Sequence, residues 1–86
     1  MKDTLSKKAM ERLTILGEEG AELAQAIFKI QRFGFEARNQ DNLVQEMGDV
    51  IQMISIVCEE LEIPWEVVEA AARAKKEKLQ HWVRHK

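Results

Sequence analysis

The stretch Glu18-Glu19-Gly20-Ala21-Glu22 places three carboxylates inside a segment whose apolar residues recur at helical spacing. The apolar stripe of that helix would contain Leu16, Leu23, Ile27 and Ile30. At about 100° per residue, Glu19 falls inside this stripe and Glu22 lies at its edge. A charged group within an apolar helix face is costly, so these acids are the first candidates for a functional site.

A second acidic pair lies in the stretch Leu43-Val44-Gln45-Glu46-Met47-Gly48-Asp49-Val50-Ile51. Glu46 and Asp49 have the same i, i+3 spacing as Glu19 and Glu22, and residues at this spacing are neighbours on one helix face. Two such pairs facing each other across two helices would repel strongly. A divalent cation between them would relieve that repulsion.

The helix around the first pair is predicted over residues 4–33, with Asp3 or Thr4 as its N-cap. Gly34 would end it, because glycine is the usual residue just beyond a helix. A short polar connection over residues 35–40 would follow.

The second helix is predicted to begin between Asn39 and Asn42, where Asp41 or a neighbour can cap it, and to run to about residue 61. Its apolar stripe would contain Leu43, Met47, Val50, Ile54, Val57, Cys58 and Leu61. Glu46 and Asp49 border or enter this apolar surface, as Glu19 does on the first helix.

Pro64 suits the first turn of a third helix, because its fixed φ angle and missing N–H cost nothing there. The apolar face of that helix would carry Trp65, Val68, Ala72, Leu79 and Val83. Three helices with short connections predict an all-α fold, an antiparallel helical hairpin plus a third helix. The third helix would complete a four-helix-bundle-like core, either within the chain or across a dimer.

The length and composition of the chain agree with this fold. Residues 1–86 form one small domain, with 45% hydrophobic and 33% charged residues, as in a folded helical protein. Four glycines and one proline give few turn signals, so nearly all of the chain should be helix. Because a chain of this size buries little core by itself, we expect it to oligomerise.

Charge, cysteine content and hydropathy limit the partners, the kinds of metal site and the location that we expect for this chain. The net charge of −2 gives no reason to expect nucleic-acid or membrane binding. Cys58 is the single cysteine, which excludes an internal disulfide and a cysteine-based zinc site. No apolar run is long enough to span a bilayer, and residues 1–8 lack the apolar core of a signal peptide. We expect a cytoplasmic protein, in a bacterium or a phage-infected cell.

The acidic pairs have two interpretations. Most acidic runs are solvated helix faces. Against this, Glu19 lies in an apolar stripe, the i, i+3 pattern occurs twice, and no lysine or arginine lies three or four residues from Glu19 or Glu22. If the acids bind a metal, an all-oxygen ligand set favours Mg²⁺ or Mn²⁺ over zinc. Magnesium held by carboxylates usually keeps positions open for substrate phosphates, which points to phosphoryl chemistry.

Three lysines are candidates for binding phosphate. Lys75 and Lys76 flank the apolar face of the third helix, and Lys29 follows Glu22 on the first helix. Each lysine also has a simpler interpretation as a solvated side chain, because basic residues near a helix C-terminus complement the helix dipole and stay in solvent.

The motif Glu18-Glu19-x-x-Glu22 followed by Glu46-x-x-Asp49 resembles the paired acidic signature of the all-α nucleoside triphosphate pyrophosphohydrolases, the MazG-like family. Residues 24–29, 32–34 and 42–50 also look like the compact versions found in phages and bacteria. The resemblance extends over about residues 13–61, and more loosely over residues 70–82.

The resemblance implies Mg²⁺-dependent hydrolysis of a nucleoside triphosphate, often a deoxynucleotide, to the monophosphate and pyrophosphate. It implies that the metal ligands are Glu19, Glu22, Glu46 and Asp49. Glu18 would support a ligand or orient the attacking water, and Lys75 or Lys76 would stabilise the departing pyrophosphate. Family members of this size are generally dimers or tetramers, which agrees with the small core of this chain.

Two alternatives stay open at this level. Phosphoribosyl-ATP pyrophosphatases share the acidic helices, so the substrate could be phosphoribosyl-ATP or another pyrophosphate-containing metabolite. The chain could instead be a non-catalytic helical oligomer, or a module that uses its acids to bind Mg²⁺ or a basic partner.

Overall fold

A computed structural model describes residues 4–83, and these residues form three helices and no strand. Helix α1 spans Lys7–Phe33, α2 spans Ala37–Leu61 and α3 spans Trp65–Val83. The all-α class and the order of a helical hairpin followed by a third helix are therefore confirmed.

Helix α1 begins at Lys7, three residues later than the sequence pattern indicated. Ser6 is the N-cap, with extended backbone angles, and its Oγ accepts a hydrogen bond from the Ala9 N–H at 3.0 Å. This bond satisfies one of the N–H groups that a helix start leaves without a partner. Thr4 is exposed and lies before the helix, and Asp3 lies outside the described residues.

The hairpin turn is tighter than expected and covers only residues 34–36. Gly34 has a φ angle of 98°, a conformation that would be strained for a residue with a side chain. Its N–H donates to the Ile30 carbonyl at 2.9 Å. The amide of Asn39 donates to the Gly34 carbonyl at 2.9 Å, and the amide of Gln40 donates to the Phe35 carbonyl at 3.0 Å. Because these side chains bond back to the turn from inside α2, the helix begins at Ala37 rather than between residues 39 and 42.

Helix α2 ends at a residue in the left-handed conformation. Glu62 has a φ angle of 58° and a ψ angle of 41°, and the N–H of Ile63 donates to the Cys58 carbonyl at 2.9 Å. This pairing satisfies a carbonyl that the helix end would otherwise leave open. Pro64 follows, and its carbonyl accepts from the Val67 N–H at 3.0 Å. It lies immediately before α3, one residue earlier than the first-turn position predicted for it.

Helices α1 and α2 pack along each other, whereas α3 touches this hairpin only weakly. Among the described residues, the buried core consists of Ala9, Ala26, Val57 and Cys58. The radius of gyration is 16.0 Å, whereas a compact domain of this length has about 12 Å. Within the described chain, α3 therefore does not complete a bundle.

Candidate metal centre and groove

The two predicted acidic pairs meet across the hairpin. Glu19 and Glu22 on α1 and Glu46 on α2 each offer a carboxylate oxygen, and these three oxygens lie within 4.8 Å of one another. The antiparallel packing of α1 and α2 brings these carboxylates together. At the open end of the hairpin, where α1 begins and α2 ends, the same packing places Lys8 Nζ 3.7 Å from Glu60 Oε1. We call Glu19, Glu22 and Glu46 the three-carboxylate cluster.

Burial makes this cluster different from a solvated acidic surface. Glu22 is exposed, but Glu19 and Glu46 are half-buried. The Oε1 atoms of both half-buried residues are shielded from solvent and have no hydrogen-bond partner among residues 4–83. A shielded carboxylate oxygen without a partner is costly, so a cation at this position would satisfy both atoms at once.

Both half-buried acids have a raised pKa, which also favours a cation at this position. Burial raises the pKa of the Glu19 carboxyl, and the nearby charges of Glu22, Asp49 and Glu46 raise it further. Burial also raises the pKa of the Glu46 carboxyl, followed by repulsion from Glu22 and Asp49, while Lys29 acts in the opposite direction. Both acids are thus held in a site that disfavours their charged forms unless positive charge is added.

Asp49 lies beside the three-carboxylate cluster without being part of it. It is half-buried, and it is close enough to raise the pKa of both Glu19 and Glu46. The three oxygens within 4.8 Å of one another come from the other three acids. Of the four predicted ligands, three are therefore gathered in this chain and the fourth is adjacent.

Glu18 lies on a different side of α1. It is exposed and lines a surface pocket together with Lys7, Met10 and Thr14. Consecutive helix residues point about 100° apart, so Glu18 is turned away from Glu19, although it lies one helical turn before the exposed Glu22. Glu18 is not among the acids whose oxygens form the cluster.

The three predicted phosphate-binding lysines have different positions. Lys29 is near enough to Glu46 to lower its pKa. Lys75 and Lys76 are exposed on α3, and neither is among the charges that shift the pKa of Glu19 or Glu46. In this chain the structure brings Lys29, but not the α3 lysines, to the acidic site.

A cavity lies on each side of the cluster along the hairpin. The turn-end cavity, of about 610 Å³, is lined by Lys29, Phe33, Glu36, Arg38, Asn39 and Asn42. The open-end cavity, of about 420 Å³, has charged lining residues Lys8, Arg12, Glu59 and Glu60. Its remaining lining residues are the apolar Ile15, Met53 and Ile56.

Arg38 and Asn42 were not among the predicted site residues. Asn42 precedes Glu46 by one helical turn, so a search for polar residues four positions from each acid would have found it. Arg38 carries no such signal, because its position at the cavity depends on how tightly the chain turns after Gly34.

The ligand set fits a hard divalent cation. The cluster offers carboxylate oxygens alone, and the one cysteine of the chain is buried in the hairpin core. Oxygen ligands of this kind suit Mg²⁺ or Mn²⁺. The two shielded Oε1 atoms are the feature that such a cation would satisfy.

Comparison with known proteins identifies the family. The profile of the MazG nucleotide pyrophosphohydrolase domain matches residues 7–85. The chain therefore belongs to the MazG nucleotide pyrophosphohydrolase family, which confirms the resemblance inferred from the two acidic motifs. Neither the curated proteins nor the solved structures include a match to this chain. Among the described residues, no helix is both long enough and apolar enough to cross a membrane.

Proposed function

We propose that this protein hydrolyses a nucleoside or deoxynucleoside triphosphate to the monophosphate and pyrophosphate, with Mg²⁺ as its cofactor and Mn²⁺ as a possible substitute. The observation that carries the proposal is the pair of shielded Oε1 atoms of Glu19 and Glu46 within an all-oxygen cluster. The MazG domain supports nucleotide pyrophosphohydrolysis as the general activity. Nucleoside triphosphates are cytoplasmic metabolites, which agrees with the location expected from the sequence.

The proposed ligands are Glu19, Glu22, Glu46 and Asp49. When bound, Mg²⁺ would neutralise phosphate charge and lower the pKa of a coordinated water. The half-buried positions of Glu19 and Glu46 hold their carboxylates in fixed directions, while the exposed Glu22 leaves the cluster open to solvent and substrate. Lys29, beside Glu46, would contact the substrate phosphates as a point charge.

We also propose that the active form is a homodimer or homotetramer. The chain exposes 7215 Å², whereas a folded monomer of 10.0 kDa exposes about 5,200 Å². The difference, about 2,000 Å², exceeds the roughly 800 Å² that one partner buries in a standard interface. In such an assembly, Lys75 and Lys76 of the loosely packed α3 would reach the acidic site of a neighbouring copy.

The proposal is tested by measuring pyrophosphate release from a panel of ribo- and deoxynucleoside triphosphates. Each assay is run with Mg²⁺, with Mn²⁺ and with EDTA. The informative variant is Asp49→Asn, and the matched control is Asp41→Asn, which makes the same change at an exposed position two turns earlier on α2.

We expect metal-dependent release that Asp49→Asn lowers by about a hundredfold or more, because the bound metal contributes several kcal/mol to catalysis. Asp41→Asn should retain wild-type turnover. If a folded protein that binds Mg²⁺ releases no pyrophosphate from any nucleotide, the proposal is wrong. Other pyrophosphate-containing metabolites, including phosphoribosyl-ATP, would then be assayed with the same pair of variants.

A further inference from the structure

The two cavities and the acidic cluster lie on one side of the hairpin. On α1, Ile15, Glu22 and Lys29 are seven residues apart, which is almost two full turns, so they share one side of the helix. On α2, Asn42, Asp49 and Ile56 have the same spacing. Lys29 and Asn42 line the turn-end cavity, and Ile15 and Ile56 line the open-end cavity, so this spacing places the cluster between the two cavities. We call this side of the hairpin the groove.

The charges at the two ends of this groove differ. The turn-end cavity has two cations, Lys29 and Arg38, and one acid, Glu36, which gives it a net charge of +1. The open-end cavity has two cations and two acids, which cancel, and its Lys8 is already paired with Glu60 at 3.7 Å. The charge distribution therefore favours an anion at the turn end and an uncharged group at the open end.

The polar groups at the turn end are also available to a ligand. The Asn39 amide is used by the Gly34 carbonyl, but the side chain of Asn42 has no hydrogen-bond partner among the described residues. The Arg38 guanidinium is exposed and can bind two phosphate oxygens at once. At the open end, the apolar side chains of Ile15, Met53 and Ile56 offer a surface for a base.

We propose that the nucleotide lies along this groove in one direction, with its β- and γ-phosphates in the turn-end cavity and its base in the open-end cavity. The inference rests on the function proposed above and adds the orientation of the substrate. Water attacks the α-phosphorus and loses a proton to solvent, and the bond from that phosphorus to the α,β-bridging oxygen breaks, with its electron pair leaving on the pyrophosphate. The monophosphate then remains toward Ile15 and Met53, and the pyrophosphate leaves from beside Lys29 and Arg38, whose charges stabilise it.

The test compares two ligands that differ only in the γ-phosphate. An α,β-imido nucleoside triphosphate and the matching α,β-imido diphosphate are titrated calorimetrically into the protein with Mg²⁺. The variants are Arg38→Gln at the turn end, Arg12→Gln as a charge-matched change at the open end, and Glu36→Gln, which removes the acid of the turn-end cavity. Circular dichroism checks that each variant is folded.

Arg38→Gln should weaken binding of the triphosphate analogue by about tenfold more than binding of the diphosphate analogue, because a charge-assisted hydrogen bond to the γ-phosphate is lost. Glu36→Gln should change the ratio of the two affinities in the opposite direction. Arg12→Gln should leave the ratio at its wild-type value.

Two results would overturn the orientation: an unchanged affinity ratio in Arg38→Gln, or a loss selective for the triphosphate in Arg12→Gln. Failure of the proposed function gives a different result. If the wild-type protein binds the analogues but hydrolyses no nucleotide, the hydrolase proposal fails, and the affinity ratios still decide the orientation. If it binds neither analogue, both proposals are wrong.

Discussion

Glu19 of α1 and Glu46 of α2 lie together across the hairpin, and each holds its Oε1 atom away from solvent and from every described hydrogen-bond donor. Burial and the neighbouring acids raise the pKa of both carboxyl groups, and Lys29 offsets only part of this increase at Glu46. A cation bound between the two carboxylates, as proposed above, would relieve their repulsion.

Glu46→Gln should separate metal binding from folding. Without metal, the melting temperature of this variant should equal or exceed that of the wild type, because one repelling charge is gone. With Mg²⁺ at a hundred times its dissociation constant, the wild type should gain about 2.7 kcal/mol, which raises the melting temperature of a small domain by roughly 10 °C or more. Thermal melts at one protein concentration, with EDTA and with Mg²⁺, measure both effects.

The variant should lose most of the Mg²⁺-induced increase in melting temperature. Glu11→Gln, an exposed position on α1, should retain all of it. A wild-type protein whose melting temperature does not respond to millimolar Mg²⁺ would contradict the prediction.

The metal-free protein should become relatively more stable as the pH falls. Burial and like charges raise the pKa values of Glu19 and Glu46 in the folded state above the ordinary value of 4.5. Between pH 4.5 and the higher folded-state pKa values, the folded state binds more protons than the unfolded state, so the free energy of unfolding rises as pH decreases. The destabilisation that the two charged carboxylates cause is complete above the folded-state pKa values and is lost below pH 4.5.

Urea unfolding in EDTA between pH 8 and pH 4.5 measures this effect. The double variant Glu19→Gln, Glu46→Gln isolates it from the titration of the remaining carboxylates. The free energy of unfolding of the wild type, minus that of the double variant, should increase toward low pH. A difference that stays constant or decreases would mean that these two acids are not the source.

The sequence was sufficient to predict the helical elements, because their signals are local. Gly34 ends α1, Pro64 immediately precedes α3, and each acidic pair has helical spacing whatever the tertiary structure. The helix starts were less accurate. Asn39 is a good N-cap residue by type, yet its amide and that of Gln40 donate backward to turn carbonyls from inside α2, and sequence alone does not distinguish these uses.

The candidate site was predicted only in part, because local spacing can be read from the sequence and the register between helices cannot. The i, i+3 spacing identifies which acids share a helix face, but the register of α1 against α2 depends on the length of the turn. That register places Glu22 within the cluster, Asp49 beside it and Arg38 at the end of the groove. The apolar face of α3 likewise has the right periodicity for packing, but periodicity does not say whether the same chain or another copy covers it.

The neighbouring acids Glu18 and Glu19 should have different roles. Glu19→Gln should lower Mg²⁺ affinity by about tenfold or more, because a neutral amide replaces a charged ligand. Glu18→Gln should leave Mg²⁺ affinity nearly unchanged, because Glu18 is exposed and contributes no oxygen to the three-carboxylate cluster. Calorimetric titration with Mg²⁺ measures both.

The turnover of Glu18→Gln then tests the role that the family resemblance implies. A lower kcat with unchanged Mg²⁺ affinity would support a part in orienting the attacking water. Equal losses of Mg²⁺ affinity in both variants would contradict the position of Glu18 on α1.

A charge on the outer face of α2 should disrupt the proposed oligomer. Val44, Met47 and Ile51 lie on one side of this helix with exposed fractions of 67%, 47% and 60%. Ile51→Lys would bury an unpaired charge in any interface formed there, at a cost that a small interface does not tolerate. Light scattering coupled to size-exclusion chromatography should give a dimer or tetramer for the wild type and a monomer for the variant.

Gln52→Lys is the matched control, because it adds the same charge one position along α2 and about 100° around the helix. This variant should keep the wild-type mass. Since α3 packs only weakly against the hairpin within one chain, Ile51→Lys should also lower turnover while Mg²⁺ still binds to the three-carboxylate cluster. A monomeric wild-type protein with full turnover would mean that one hairpin alone suffices, and that Lys75 and Lys76 take no part in catalysis.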